Sequence, residues 1–323
     1  MRQAPSPPIQ AQGDIPVNVA SFARSLRASN LSPRTAETYT ESAHQLARFL
    51  AAKGMPERVA KIRREHVEMF IDDLLARWKP ATANNRYRGL QSFFRWCLEQ
   101  GEIKRNPMEN MRPPKVPEQP PDVLREPELK AILRTCERGQ SFQDRRDHAL
   151  LRVLIDTGAR RAEVAGLDFD PQDDLVNDVD LDRGLLRVLG KGRRERYLPI
   201  GHKAVAALDR YLRARAGHPA ASRTTALWVG HKGAVGTSGI AQIVRRRGRQ
   251  AGLGDIHAHQ FRHSFAHQWL SSGGAETDLM NITGWQSRTM VQKYAKSTAA
   301  ERAVNAHRLW GGIIPSVSGA LTG

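Results

Sequence analysis

With 323 residues, 40% of them hydrophobic, the chain can fill about two ordinary cores, and its 50 Lys plus Arg against 33 Asp plus Glu leave a formal charge of +17. Such an excess points to a polyanionic partner, because counterions released from a phosphate backbone favour association, and it is shared: 19 basic against 12 acidic residues up to position 120, 31 against 21 beyond it. No apolar run reaches the ~18 residues of a membrane span and the start MRQAPSPPIQAQG lacks a secretory apolar core, so a cytoplasmic, nucleoid-associated protein is expected.

In chain order, residues 1–16 are rich in Pro, Gln and Ala and predict a disordered tail. From Val17 the pattern is helical, with Val19, Phe22 and Leu26 on one face. In LSPRTAETYTESAHQLARFLAAKG, Ser32 suits an N-cap and Pro33 the first helical position; Tyr39, Ala43, Leu46 and Leu50 recur at helical spacing before Gly54 ends it. Val67, Phe70, Ile71, Leu74 and Leu75 form a third stripe, and Leu90, Phe93, Phe94, Cys97 and Leu98 a fourth, stopped at Gly101. Residues 17–106 thus predict a small helical bundle. Arg86, Arg88 and Arg95 on the fourth helix, with Lys79 just ahead of it, suggest a basic face able to lie along nucleic acid. Residues 107–121 hold six prolines in fifteen positions, a stiff extended spacer and the expected domain boundary.

Residues 122–310 predict a second domain, mainly helical with a small antiparallel sheet, followed by a tail at 311–323. Leu129, Ile132, Leu133 and Cys136 mark one helix, and Ala149, Leu150, Val153 and Leu154 another. The two cysteines, Cys97 and Cys136, sit in apolar helical patterns as buried reduced thiols. LLRVLGKGRRERYLPI reads as two strands around a glycine-containing hairpin, with helices to follow from Ala204 to Arg215, Gly239 to Ala251 and His259 to Leu270.

Within this domain the cations fall at telling places. DTGARRAEV sets Arg160 at the start of a short helix, where a cation opposes the helix dipole but where a bound anion would meet both backbone N–H groups and a guanidinium. Arg161 is the competing choice, and Glu163 can orient either. In IHAHQFRHSFAHQWL, His259 and Arg262 share a helix face, a proton acceptor beside a phosphate clamp, with Phe261, Phe265 and Trp269 opposite as core. His263 and His267 are four apart but lack a third ligand, so no metal site is assigned. Lys191 stands at a hairpin tip between glycines, and GWQSRTMVQKY places Tyr294 nine positions after Trp285.

TGARRAEV, GKGRRERYLPI, HAHQFRHSFAHQWL and GWQSRTMVQKY follow the order and spacing of the tyrosine recombinase (phage integrase) family, which this chain resembles over residues 157–294. The preceding helices, with LSPRTAETY and the RNP of residues 105–107, look like that family's SAM-like core-binding domain, and too few residues precede them for an arm-binding domain, as in simple Xer-like members. The resemblance makes Arg160 and Arg262 the phosphate-binding arginines, Lys191 the hairpin lysine, His259 the histidine of the H-x-x-R pair and Tyr294 the nucleophile. Trp285 stands where the family most often has a second histidine; its indole N–H can donate to a phosphate oxygen but cannot exchange a proton near neutral pH.

Expected from the resemblance is a site-specific recombinase acting on double-stranded DNA as a tetramer, through a covalent 3′-phosphotyrosine, without metal, ATP or other cofactor. Guanidinium charge near Tyr294 should favour its phenolate, with His259 as base toward Tyr294 and Lys191 as acid toward the leaving 5′-hydroxyl. The end of the chain, AAERAVNAHRLW, is expected as a helix that docks on a neighbouring protomer or packs within its own. Two other classes remain: a DNA-binding protein on the same fold with degenerate catalysis, and a type IB topoisomerase-like enzyme.

Overall fold

The computed structural model describes residues 15–117, 121–190 and 194–310, in two compact units that divide after Gln119. Of the tail predicted at 1–16, residues 1–14 lie outside the described residues, as does the tail predicted at 311–323, while Ile15 and Pro16 are helical.

The first unit is a helical bundle of α1 (Ile15–Ala28), α2 (Pro33–Ala52), α3 (Arg64–Arg77) and α4 (Pro80–Glu99). Helix α1 begins two residues earlier than the apolar pattern implied: Pro16 is tolerated in a first turn and Ile15 is fully buried. Ser32 caps α2 by accepting from the Thr35 amide at 3.2 Å, and proline opens both α2 and α4. Phe22, Phe70, Phe93 and Phe94 form the aromatic centre, while α4 lies so close to α2 at Gly89 that a Cβ there would stand 2.3 Å from the Ser42 hydroxyl oxygen. The proline-rich segment has no regular structure where it is described, but it does not begin as a free spacer. Met108 is buried in this core, the Tyr87 hydroxyl donates to the Met111 carbonyl at 2.6 Å, and the Asn84 side-chain amide donates to the Pro114 carbonyl at 2.8 Å.

Helix α4 also separates the four cations expected to share one face. Residues advance about 100° each along a helix, so Arg86 points about 200° away from Arg88, while Arg88 and Arg95, seven apart, point the same way. Lys79, at the N-cap, falls on the Arg86 side. Arg88 and Arg95 are exposed opposite the buried Leu90, Phe94 and Cys97.

The second unit contains α5 (Glu126–Arg134), α6 (Phe142–Thr157), α7 (Arg161–Ala165), α8 (His202–Ala216), α9 (Thr237–Gln250), α10 (Ala258–Ser271), α11 (Glu276–Thr283) and α12 (Arg288–Trp310). The hairpin pairs β2 (Leu185–Leu189) with β3 (Glu195–Pro199) antiparallel, Val188 opposite Arg196, and β1 (Val179–Asp180) extends it; β4 (Val229–Gly230) and β5 (Gly233–Ala234) make a second, two-stranded sheet. Its core joins α5, α6, α8 and α9 to the inner face of the hairpin through Leu133, Leu150, Leu154, Leu186, Leu198, Leu208, Tyr211 and Val244. Asp147, fully buried on α6, is compensated by Arg146, Arg246 and Arg247, which ties α6 to α9.

On α10 the expected apolar face is narrower than its spacing implied. Phe261 is in the core, but Phe265 and Trp269 are only partly buried, flanking a cleft with Ile155, Gln268 and Gly274, and the helix instead buries Arg262, Ser264, Ala266 and Leu270. Cys97 and Cys136 are free and buried, and burial pushes their thiols up to about 12 and about 11. No helix among the described residues is long and apolar enough to cross a membrane.

Candidate active site

Helix α6 stops at Gly158, whose left-handed φ of +56° glycine alone adopts freely and whose missing side chain leaves room for Phe265, 2.8 Å from where a Cβ would stand. The chain turns through Ala159 into α7 with Arg160 at its N-cap. A cation is electrostatically misplaced there, and Glu163 one turn on offsets it. One Glu163 oxygen accepts from the Arg160 guanidinium at 2.8 Å and the other from the Arg160 backbone N–H at 2.8 Å. Burial pushes the Glu163 carboxyl up, yet bonds from Arg196 and Arg160 outweigh it and hold the group below its usual range. Arg161, the competing first arginine, is exposed, whereas Arg160 also reaches the Gly284 carbonyl at 3.3 Å.

Arg262, 2% exposed on α10, donates to the carbonyls of Gly158 at 2.9 Å and Thr283 at 2.7 Å. Desolvation, with Arg160 adding repulsion, lowers it to about 10, still charged at neutral pH. Both arginines therefore converge on the end of α11, where Gly284 (φ +65°) turns the chain into Trp285. The Trp285 ring lies beneath the Arg262 guanidinium, 5.0 Å from its centroid, and stacks on the Tyr294 ring at 5.1 Å and 13°. Tyr294, carried by α12, is 1% exposed.

Electrostatics at the tyrosine run against the expectation drawn from charge alone. Burial pushes the Tyr294 phenol up to about 12, and the opposing pull of Arg262 does not reverse it. Its hydroxyl is hydrogen-bonded to Nδ1 of His263, while His259 stands edge-on behind that ring, 5.0 Å between centroids. His263 is thus the histidine at the hydroxyl in this structure; weighed from the sequence only as half of a metal pair, it shares the His259 face at four-residue spacing. Desolvation first, then positive neighbours, lowers His263 to about 4 and also depresses His259, where Arg262, His257, Arg160 and Arg161 follow burial as causes. Both imidazoles are therefore favoured in the neutral form, and protonating either is unfavourable without a negative charge beside it.

The fold therefore gathers Arg160, Arg262, Trp285, Tyr294 and His259 at one place. Lys191 lies outside the described residues. Two further residues join this site. Trp228 donates its indole N–H to the Val164 carbonyl at 2.8 Å and so steadies α7, and Arg196 on β3 forms a bidentate pair with Glu163 at 3.0 and 2.8 Å. In the sequence Arg196 is one more cation in GKGRRER, with nothing local to mark it.

Paired guanidiniums, an indole N–H, two imidazoles and an enclosed phenol are thus brought together, groups suited to binding an anion and moving a proton beside it. The chain belongs to the phage integrase family: residues 122–301 match that family and residues 19–102 match the phage integrase N-terminal SAM-like domain. A tyrosine recombinase XerC of Pelobacter propionicus is 30% identical over 268 residues, 82% of this chain and 85% of the relative. In fold the chain is similar to the XerH site-specific recombinase bound to palindromic difH substrate in a post-cleavage complex, with a TM-score of 0.70 and 18% identity over 91% of this chain and 84% of that one. It is likewise similar to a lambda integrase tetramer bound to a Holliday junction, with a TM-score of 0.66 and 16% identity over 85% and 78%. The protein is a site-specific DNA recombinase of the tyrosine class.

Proposed function

We propose that the recombinase cuts and rejoins DNA through a covalent 3′-phosphotyrosine on Tyr294, with neither metal nor nucleotide cofactor. The observation carrying this reading is the enclosure of Tyr294 by Trp285 and His263, with Arg262 over the same tryptophan and Arg160 on the adjoining Gly284 carbonyl. Arg160 and Arg262 hold the non-bridging phosphate oxygens, and Trp285 adds a neutral donor. The Tyr294 oxygen attacks phosphorus, a P–O bond forms, and the bond to the 5′-oxygen breaks. The phenolic proton passes to His263, with His259 behind it, and Lys191 protonates the departing 5′-oxygen, which leaves as a hydroxyl. A phosphate arriving beside these imidazoles raises their proton affinity, so deprotonation of a phenol that rests near 12 is tied to substrate. Because the phosphotyrosine keeps the energy of the broken linkage, the 5′-hydroxyl of another strand reverses the step.

The first unit is then the core-binding domain and residues 122–310 the catalytic domain, with four protomers joining two DNA sites. Of the two faces of α4, the Lys79–Arg86 side is the one proposed to meet the duplex. There Arg86 shares a cleft with Arg34, Thr38, Thr82, Asn85 and the carboxylates of Glu37 and Glu41; Arg34 pairs with Glu37 at 3.4 Å, so the two guanidiniums are what this side offers a phosphate. The test is strand exchange between two differently labelled duplexes carrying a site recovered by binding selection, in EDTA and without nucleotide. Recombinant duplexes are expected; relaxation of supercoils without exchange would favour the topoisomerase alternative, and tight binding without cleavage the degenerate one.

A further inference from the structure

We infer that Arg196 is a positioning residue for Arg160, the strut that fixes the phosphate-binding guanidinium to the hairpin and to the turn before Trp285. This rests on the recombinase reading above. Three contacts carry it. Both terminal nitrogens of Arg196 bind both oxygens of Glu163, at 3.0 and 2.8 Å, and Glu163 in turn holds the Arg160 side chain and backbone. The Nε of Arg196 donates to the Ile282 carbonyl at 2.9 Å, at the end of α11 where Arg262 and Arg160 also bind. Finally, two glycines make room for this guanidinium: a Cβ on Gly284 would stand 3.2 Å from it, and one on Gly190 at 3.0 Å.

The Arg196 side chain is 15% exposed and Glu163 is 4% exposed, so water competes little with the pair, and its planar fork fixes direction as well as distance. Glu163 by itself can follow Arg160 through its rotamers; gripped from the opposite side by Arg196, it cannot. Residue 196 also pairs with Val188 across the hairpin, so one side chain sets the base of the Lys191 hairpin, the arginine of α7 and the Gly284–Trp285 turn relative to one another.

A substrate change distinguishes this role from mere stabilisation. Arg160 serves to neutralise charge on a non-bridging oxygen; a methylphosphonate at the scissile position removes that charge, and with it the need for a well-aimed Arg160. Single-turnover cleavage of a nicked duplex is measured for wild type, Arg196→Met, Arg196→Lys and Arg160→Ala on both linkages, with DNA affinity and urea midpoints alongside. Arg196→Met is expected to slow phosphodiester cleavage by about 100-fold with affinity held within about three-fold, Arg196→Lys to fall between, and both deficits to shrink below about five-fold on methylphosphonate, as for Arg160→Ala. Equal slowing on both linkages, or wild-type cleavage of the phosphodiester by Arg196→Met, overturns the inference; Arg196→Lys decides the matter if the Met variant does not fold. Failure of wild type to cleave the phosphodiester would strike the recombinase mechanism instead.

Discussion

Replacing Trp285 separates its packing from the donor role proposed for its indole N–H. The ring is 8% exposed, sandwiched between the Arg262 guanidinium at 5.0 Å and the Tyr294 ring at 5.1 Å. Truncation to alanine leaves an indole-sized void and costs on the order of 3–5 kcal/mol. The lost stacking, about 0.5–1.5 kcal/mol, and cation–π attraction, about 0.5–2 kcal/mol, are contained in that total and not added to it. Phenylalanine keeps a ring between the two partners but has no N–H. Trp285→Phe should therefore unfold within about 2 kcal/mol of wild type in urea, yet cleave a nicked site about 100-fold more slowly in single turnover, the cost of one donor aimed at transition-state charge. Trp285→His restores a donor and should recover most of the rate while losing stability. Wild-type cleavage by the phenylalanine variant would show that the indole N–H does not serve the phosphate; an alanine variant within about 1 kcal/mol of wild type would show that the sandwich holds nothing together.

Three other outcomes are expected. His148 and His263 are both lowered to about 4, chiefly by burial, so below the ordinary value near 6.5 the unfolded chain takes protons that the folded chain refuses. Stability is therefore full above about 6.5 and drains away as pH falls toward 4, by roughly 1–3 kcal/mol per histidine; urea midpoints that stay flat from pH 7.5 to 5 would contradict these shifts. Gly158→Ala must accept both a φ of +56° and the Phe265 ring at 2.8 Å, whereas Gly101→Ala faces a φ of +76° with nothing within 4 Å, so the first should lose well over the ~1 kcal/mol expected of the second, read from urea unfolding. For DNA binding, Arg86→Ala should reduce the slope of log affinity against log salt by about 1 and Arg88→Ala leave it unchanged; the reverse order would move the contact to the other face of α4.

Local signals carried much of this molecule. The capped start of α2, the paired strands on either side of residues 190–194 and the four-helix bundle follow from spacing and turn chemistry, and the resemblance of four ordered fragments to the recombinase family is matched by the family comparison. Where the sequence fell short, the deciding contact is distant. His263 invited pairing with His267 because they are four apart, but its partner arrives 31 residues later on α12. Arg196 is silent until β3 meets Glu163, 33 residues earlier in the chain. Charge counting favoured a phenolate at Tyr294; only packing shows that desolvation outweighs Arg262. The supposed single basic face of α4 fails on simple helix geometry, two residues being about half a turn. Helix α11, eight residues with Leu279 and Thr283 as its buried positions, is too short for periodicity to reveal.

The proposed chemistry rests on covalent attachment of Tyr294 to a 3′-phosphate. Its most direct test is mass spectrometry of the peptide carrying residue 294 after incubation of the protein, in EDTA, with a nicked duplex whose short cleaved fragment diffuses away. An oligonucleotide attached through phosphate to Tyr294 is expected, and no adduct with Tyr294→Phe. An adduct on another residue, one that survives Tyr294→Phe, or cleavage that requires added divalent metal would contradict this chemistry.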